Sequence, residues 1–208
     1  MPLLKTIDDS VNLIYIWKIE ETLEELLADI RLNEKSQERL NGMKSISHQR
    51  GFLAVRKILQ EIQLTDDHLF YDKNGKPHLT TGQNISISHA FDFSVIMLSK
   101  NNCGVDIEKQ KEKILKIGPR FCYEPHLNNT KTDNYIKLRK YTIAWGIKES
   151  IFKIKNKPGI SFPEHITVNP FNLDDDVIKV SLFFEDKIED FEAKYEEIEG
   201  YTLVWIND

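Results

Sequence analysis

Cysteine occurs only twice in this 208-residue chain, at Cys103 and Cys122. Two thiols are too few for a disulfide framework or a zinc cluster, and they read as reduced thiols of a cytoplasmic protein. No stretch approaches the roughly 18 uninterrupted apolar residues that a membrane-spanning helix needs. The opening MPLLKTIDDS lacks the apolar run and small-residue cleavage site of a secretory signal. Positive charge is not in excess: 28 Lys and Arg stand against 33 Asp and Glu, a net charge of −5 that argues against a general nucleic-acid binder. A P-loop glycine pattern is missing, and no low-complexity linker interrupts the chain. What is present, 40% hydrophobic and 29% charged residues, is an ordinary soluble composition, long enough for one large domain or two small, tightly packed ones.

Local patterns predict an α+β fold. LIYIW (13–17) reads as a buried strand rich in β-branched and aromatic residues. Apolar residues at helical intervals (Leu23, Leu26, Leu27, Ile30) predict a helix from Thr22 to about Leu40. A second runs from about Ser47 to Ile62, with Phe52, Val55, Ile58 and Leu59 facing a core. DKNGKPHL (72–79) carries turn chemistry. ISISH (85–89) and FSVIMLS (93–99) form a hairpin, and GVDIE (104–108) is the next strand. A helix over about 135–155 follows, then strands at 165–168, 178–185 and 201–206. Strand, helix and hairpin thus occur in a similar order before and after residue 100. The expectation is two similar α/β subdomains, 1–101 and 102–208, each a long helix on antiparallel strands, related by pseudo-two-fold symmetry.

Two segments carry candidate chemistry. In GVDIE, Asp106 and Glu108 share one face of a strand, which alone reads as a wet face. In WGIKESIFK (145–153), Trp145, Glu149 and Lys153 lie on one helical stripe, which alone reads as a surface ion pair. Together, Asp106, Glu108 and Glu149 form a hard-oxygen set suited to magnesium, and Lys153 adds a cation for a polyphosphate substrate. Lys76 on a rigid turn, Ser88 and His89 at a strand end, and Arg50 and Arg56 on the 47–62 helix suit phosphate binding. Singly, each reads more simply as a turn lysine, a packed histidine or a solvated helix charge.

GKPHL, ISISHAF, GVDIE and WGIKESIFK, in this order and spacing, resemble the motifs of the 4′-phosphopantetheinyl transferases, closest to the pseudo-two-fold type that activates peptide synthetases and other carrier proteins. The resemblance runs from about residue 45 to 155. Ala90 stands where the family has a second serine after the histidine, and the polar segment 125–137 does not align readily.

The resemblance implies transfer of the phosphopantetheine arm of coenzyme A to a serine of an apo acyl or peptidyl carrier protein, releasing 3′,5′-ADP. Such an enzyme serves fatty-acid or secondary-metabolite biosynthesis. By the same implication Asp106, Glu108 and Glu149 hold magnesium, Glu149 deprotonates the serine and Lys153 attends the leaving nucleotide. His89 with Ser88 touches the phosphates, Lys76 the nucleotide end, and Arg50, with Arg56 as its rival, the 3′-phosphate. Trp145 buttresses the helix. Lys148 stands on a different stripe, open to coenzyme A or to solvent. A non-catalytic relative that binds coenzyme A or carrier protein without turnover is the alternative. The carrier protein is expected to be acidic, so the basic run KQKEKILKIGPR (109–120) is a docking candidate beside the metal strand, against its plainer reading as a solvated helix face. A cytoplasmic monomer without nucleic-acid or membrane partners is expected.

Overall fold

The computed structural model describes residues 3–129 and 131–208, and mixes helices with antiparallel sheets as an α+β protein. The chain divides into two compact units, Met1–Asn102 and Cys103–Asp208.

The first unit holds β1 (Leu3–Asp8), β2 (Asn12–Lys18), α1 (Leu23–Asp29), α2 (Glu34–Asn41), α3 (Ile46–Glu61), the short hairpin β3 (Leu69–Tyr71) and β4 (Pro77–Leu79), then β5 (Asn84–Ala90) and β6 (Phe93–Ser99). Its main sheet has the order β1-β2-β6-β5, antiparallel throughout. Phe52, Val55, Ile58 and Leu59 bring α3 onto this sheet against Trp17, Ile96 and Leu98. One expected helix is two. Thr22 opens α1 with a capping box to Glu25, but the chain is extended again at Ile30. Asn33 then starts α2 afresh, its side chain accepting from Ser36 N at 2.9 Å. An Asn inside a helical pattern favours such a cap over helix interior.

The second unit holds β7 (Cys103–Lys109), α4 (Lys113–Phe121), α5 (Asn134–Lys155), α6 (Phe162–His165), β8 (Ile166–Val168), β9 (Ile178–Phe184), β10 (Lys187–Ile198) and β11 (Tyr201–Asn207). Its sheet runs β7-β11-β10-β9-β8, all antiparallel. The core forms where α5 lies across it, with Ile143, Ile147, Ile151 and Ile154 against Val204, Ile206, Val180 and Leu182. Residue pattern does not mark β10, because KIEDFEAKYEEI is dominated by residues of low strand propensity. Pairing on both sides, to β9 and β11, overrides that weakness. β1 is a second strand that the sequence pattern does not predict.

Candidate active site

The site begins with how close α5 comes to the sheet. Gly104 has no Cβ, and one added there would overlap the backbone carbonyl of Ser150 on α5, with the carbonyl carbon 2.8 Å away. Gly146 performs the same service from the helix side: its Cβ would stand 2.8 Å from Val204 Cγ2. Glycine in a helix interior costs about 1 kcal/mol against alanine, so its presence marks a close approach. Backbone-to-backbone contact of this kind carries the acids of β7 directly under the polar stripe of α5.

The pleat of β7 turns Asp106 and Glu108 toward that helix. Asp106 is buried rather than on a wet face, at 4% exposure, opposite Val204 in the register with β11. Lys153 Nζ donates to Asp106 Oδ1 at 2.9 Å and to the Val105 carbonyl at 2.8 Å. Two turns earlier, Trp145 Nε1 donates to Glu108 Oε1 at 3.2 Å. Its indole is wedged edge-on between Phe121 and Phe162. Trp145 therefore buttresses α5, as expected, and also steers a carboxylate. Between them lies Glu149, half-buried on the same stripe.

The three carboxyls feel one another. Burial, then the neighbouring charge of Asp106, pushes the Glu108 carboxyl up to about 7, and the Trp145 hydrogen bond opposes the rise. Burial and Asp106 also raise Glu149, while Lys153 pulls it back. A proton on Glu108 is thus favoured by folding. That contribution to stability is complete below the ordinary value of 4.5 and is lost as pH rises through about 7. In chelator-treated protein, raising pH from 5 to 8 is expected to lower the melting temperature more in the parent than in Glu108→Gln. Parallel curves for the two would contradict the shift.

Among the described residues, no group of three or more His, Cys, Asp or Glu is gathered closely enough to hold a metal ion as it stands. Lys153 is drawn to Asp106 instead, and burial raises the Glu108 and Glu149 carboxyls. The donor chemistry nonetheless fits magnesium, which takes few carboxylates and completes its shell with water and phosphate oxygens.

The other expected residues belong to the first unit. Lys76 Nζ donates to Asn102 Oδ1 at 2.8 Å. Ser88 and His89, adjacent on β5, point to opposite sides: Ser88 is buried and His89 exposed. The His89 ring lies over Gly51, where a Cβ would stand 3.0 Å from its Cγ, and 5.8 Å between centroids from His48. Arg50 uses Nε and Nη2 to hold the Glu21 and Ile19 carbonyls, both at 2.9 Å. Arg56 needs correction as a phosphate ligand. It is 2% exposed, paired to Asp66 at 2.8 Å, bonded to Ser36 Oγ and the Phe52 carbonyl, with its guanidinium over the Phe52 ring. Every nitrogen of its fork has a structural partner, so it anchors α3 to α2.

Lys148 is also corrected: it meets neither coenzyme A nor solvent, being fully buried against Glu124 at 2.9 Å. The two cysteines are buried free thiols, and burial drives Cys122 well above the usual thiol range. No helix among the described residues is long and apolar enough to cross a membrane. The sequence signals for this close approach are the two glycines, Gly104 two residues before Asp106 and Gly146 next to Trp145.

No family model matches the chain. Among curated proteins it is 27% identical over 162 residues to the 4′-phosphopantetheinyl transferase gsp of Aneurinibacillus migulanus, an alignment covering 73% of this chain. The aligned part spans 64% of that relative, just under two thirds of its length. The chain is thus similar over most of its length to a 4′-phosphopantetheinyl transferase, and its carboxylate–lysine cluster is built by GVDIE and WGIKESIFK.

Proposed function

We propose that this chain is a magnesium-dependent 4′-phosphopantetheinyl transferase. It would transfer the arm of coenzyme A to the serine hydroxyl of an apo acyl or peptidyl carrier protein. The observation that carries this reading is the convergence of α5 on β7, where Lys153 grips Asp106 and Trp145 grips Glu108, with Glu149 on the stripe between. Asp106, Glu108 and Glu149 would hold the ion, which supplies charge neutralisation at the pyrophosphate. Glu149, raised by burial and by Asp106, is a stronger base than an ordinary carboxylate and so is suited to take the serine proton. The serine oxygen then bonds to the β-phosphorus as the bond to the bridging oxygen breaks, and 3′,5′-ADP departs. Lys153, already at the site as an ammonium donor, would stabilise that departing oxygen. Lys76, Ser88, His89 and Arg50 remain the proposed coenzyme A contacts.

The partner is an acidic carrier protein, and α4 supports where it docks. Lys113, Lys116 and Arg120 are exposed at spacings of three and four, so they form one basic stripe. Its apolar side, Ile114 and Ile117, helps wall a groove of about 200 Å³ that reaches Glu108 and Trp145, with Lys111 also at its rim. Charge-complementary encounter acts mainly on association rate. The Lys113→Glu/Lys116→Glu variant is expected to raise the KM for carrier protein roughly tenfold, equivalent to about 1.4 kcal/mol, with the KM for coenzyme A unchanged. An unaltered carrier KM would remove α4 from the docking surface. We propose a cytoplasmic monomer, with two units in one chain.

The deciding experiment is mass spectrometry of apo carrier proteins from fatty-acid, polyketide and peptide-synthetase systems, incubated with coenzyme A and magnesium. Gain of the phosphopantetheine mass on the serine is the expected result. Coenzyme A binding without mass gain across the panel would favour the non-catalytic alternative.

A further inference from the structure

Lys148 and Glu124 form a second charged cluster in this unit, and none of the proposed chemistry uses it. We infer that this buried pair is a latch that sets the rotation of α5, and through it the placement of Glu149 and Lys153 against β7. The inference rests on the function proposed above for what the placement serves, but the latch itself is a statement about geometry.

An ammonium group has three protons, and each of those on Lys148 has its own acceptor. They go to Glu124 Oε1 at 2.9 Å, to the Phe162 carbonyl at 3.0 Å and to the Ile166 carbonyl. Three stretches of chain therefore meet at one atom of α5: the segment after α4, the start of α6 and the start of β8. Glu124 Oε1 also accepts from Val168 N at 3.0 Å, binding β8 a second time. One rung is not enough to stop a helix from turning, and there is another. Tyr141, seven residues and about two turns before Lys148, donates its hydroxyl to Asn128 Oδ1 at 2.7 Å. Asn128 in turn holds the Cys122 carbonyl at 2.8 Å and the Glu124 carbonyl at 3.1 Å. Segment 122–128 is thus tied to α5 twice, at points four residues apart on one side and seven on the other.

A buried ion pair is poor evidence for stability, because apolar side chains of similar volume often serve as well or better. What directional bonds supply and apolar contact does not is a single rotational setting. That setting matters here because Gly104 and Gly146 seat α5 so close to β7 and β11 that little slack exists. Lys148 adjoins Glu149 in sequence, so a small turn about the helix axis moves Glu149 and Lys153 together.

The test is the double variant Lys148→Met/Glu124→Leu, which removes both charges and keeps the volume, so that folding is expected to survive. Three quantities are read on it and on the parent. Calorimetry with magnesium chloride reads ion affinity, expected to weaken about tenfold or more, in the range seen when groups behind metal ligands are lost. NMR of the metal-free protein reads the Asp106 carboxylate carbon and the Lys153 side-chain nitrogen, both expected to shift as their 2.9 Å pairing loosens. Steady-state transfer reads kcat, expected to fall about 30-fold with the KM for coenzyme A within threefold. A pair that serves packing alone would alter the melting temperature and leave the Asp106 and Lys153 resonances in place. Unshifted resonances together with unchanged magnesium affinity overturn the latch. Absence of transfer in the parent would instead overturn the proposed function, and the resonance comparison would still decide the latch. Should the double variant fail to fold, Glu124→Gln, which keeps the shape and an acceptor, is read by the same resonances and judged by the same criterion.

Discussion

Asp106→Asn is expected to reduce transfer at least about 10³-fold, roughly 4 kcal/mol of transition-state stabilisation, with the fold retained. Asparagine keeps the volume of a residue that is 4% exposed and can still accept from Lys153, so the α5–β7 contact has no reason to open. What disappears is one charge of three. That charge is also the second cause of the high Glu108 carboxyl and of the raised Glu149. Both are expected to titrate lower in the variant, and the metal-free melting temperature at neutral pH to hold or rise. Loss of activity beside unimpaired stability is a combination that a merely structural Asp106 would not produce. Glu149→Gln is expected to lose comparable activity, through the base as well as the ion. The assay is the rate of mass gain on an apo carrier protein with saturating coenzyme A and magnesium. Turnover within tenfold of the parent for either variant would dismantle the proposed site.

The second large effect is on the fold. Gly104→Ala is expected to destabilise the Cys103–Asp208 unit by about 3 kcal/mol, a fall on the order of 10 °C in its melting temperature. The obstacle is the Ser150 main chain, whose carbonyl carbon would lie 2.8 Å from the new methyl, more than a turn inside the C-terminal end of a 22-residue helix. No side-chain rotation relieves that overlap; α5 must move away from β7, separating Lys153 from Asp106. Gly146→Ala is the informative comparison. Its nearest obstacle is a Val204 methyl, which can shift, and alanine recovers about 1 kcal/mol of helix propensity. Its loss is therefore expected to be much smaller. Thermal unfolding followed by circular dichroism tests both, and a Gly104→Ala protein melting within about 2 °C of the parent would refute the close-packing account.

Much of this was legible in the residues, and for identifiable reasons. The apolar spacing of Phe52, Val55, Ile58 and Leu59 specified α3, and that of Ile147, Ile151 and Ile154 marked α5, because burial of one helical face leaves a periodic trace. The stripe of Trp145, Glu149 and Lys153 could be drawn from the number of residues per turn alone. Pairing that stripe with Asp106 and Glu108, forty residues away in the chain, needed the motif order and not any local rule. The break at Asn33 and the charged strand β10 went unread because a cap and a strand with two paired neighbours depend on partners that periodicity does not encode.

Which charges would be buried was decided only in three dimensions. Arg56 and Lys148 are indistinguishable in sequence from solvated helix cations, yet each ends among oxygens that use its donors, contributed by segments up to 20 residues away in one case and 24 in the other. Asp106 read by itself as the wet face of a strand. The close seating of α5, permitted by Gly104 and Gly146, buried it under Lys153. Composition, periodicity and motif order thus determined the fold class, the helices and the acids worth watching. Tertiary structure alone assigned each charge its partner, because desolvation depends on what comes to lie on top of a residue and not on what stands beside it in the chain.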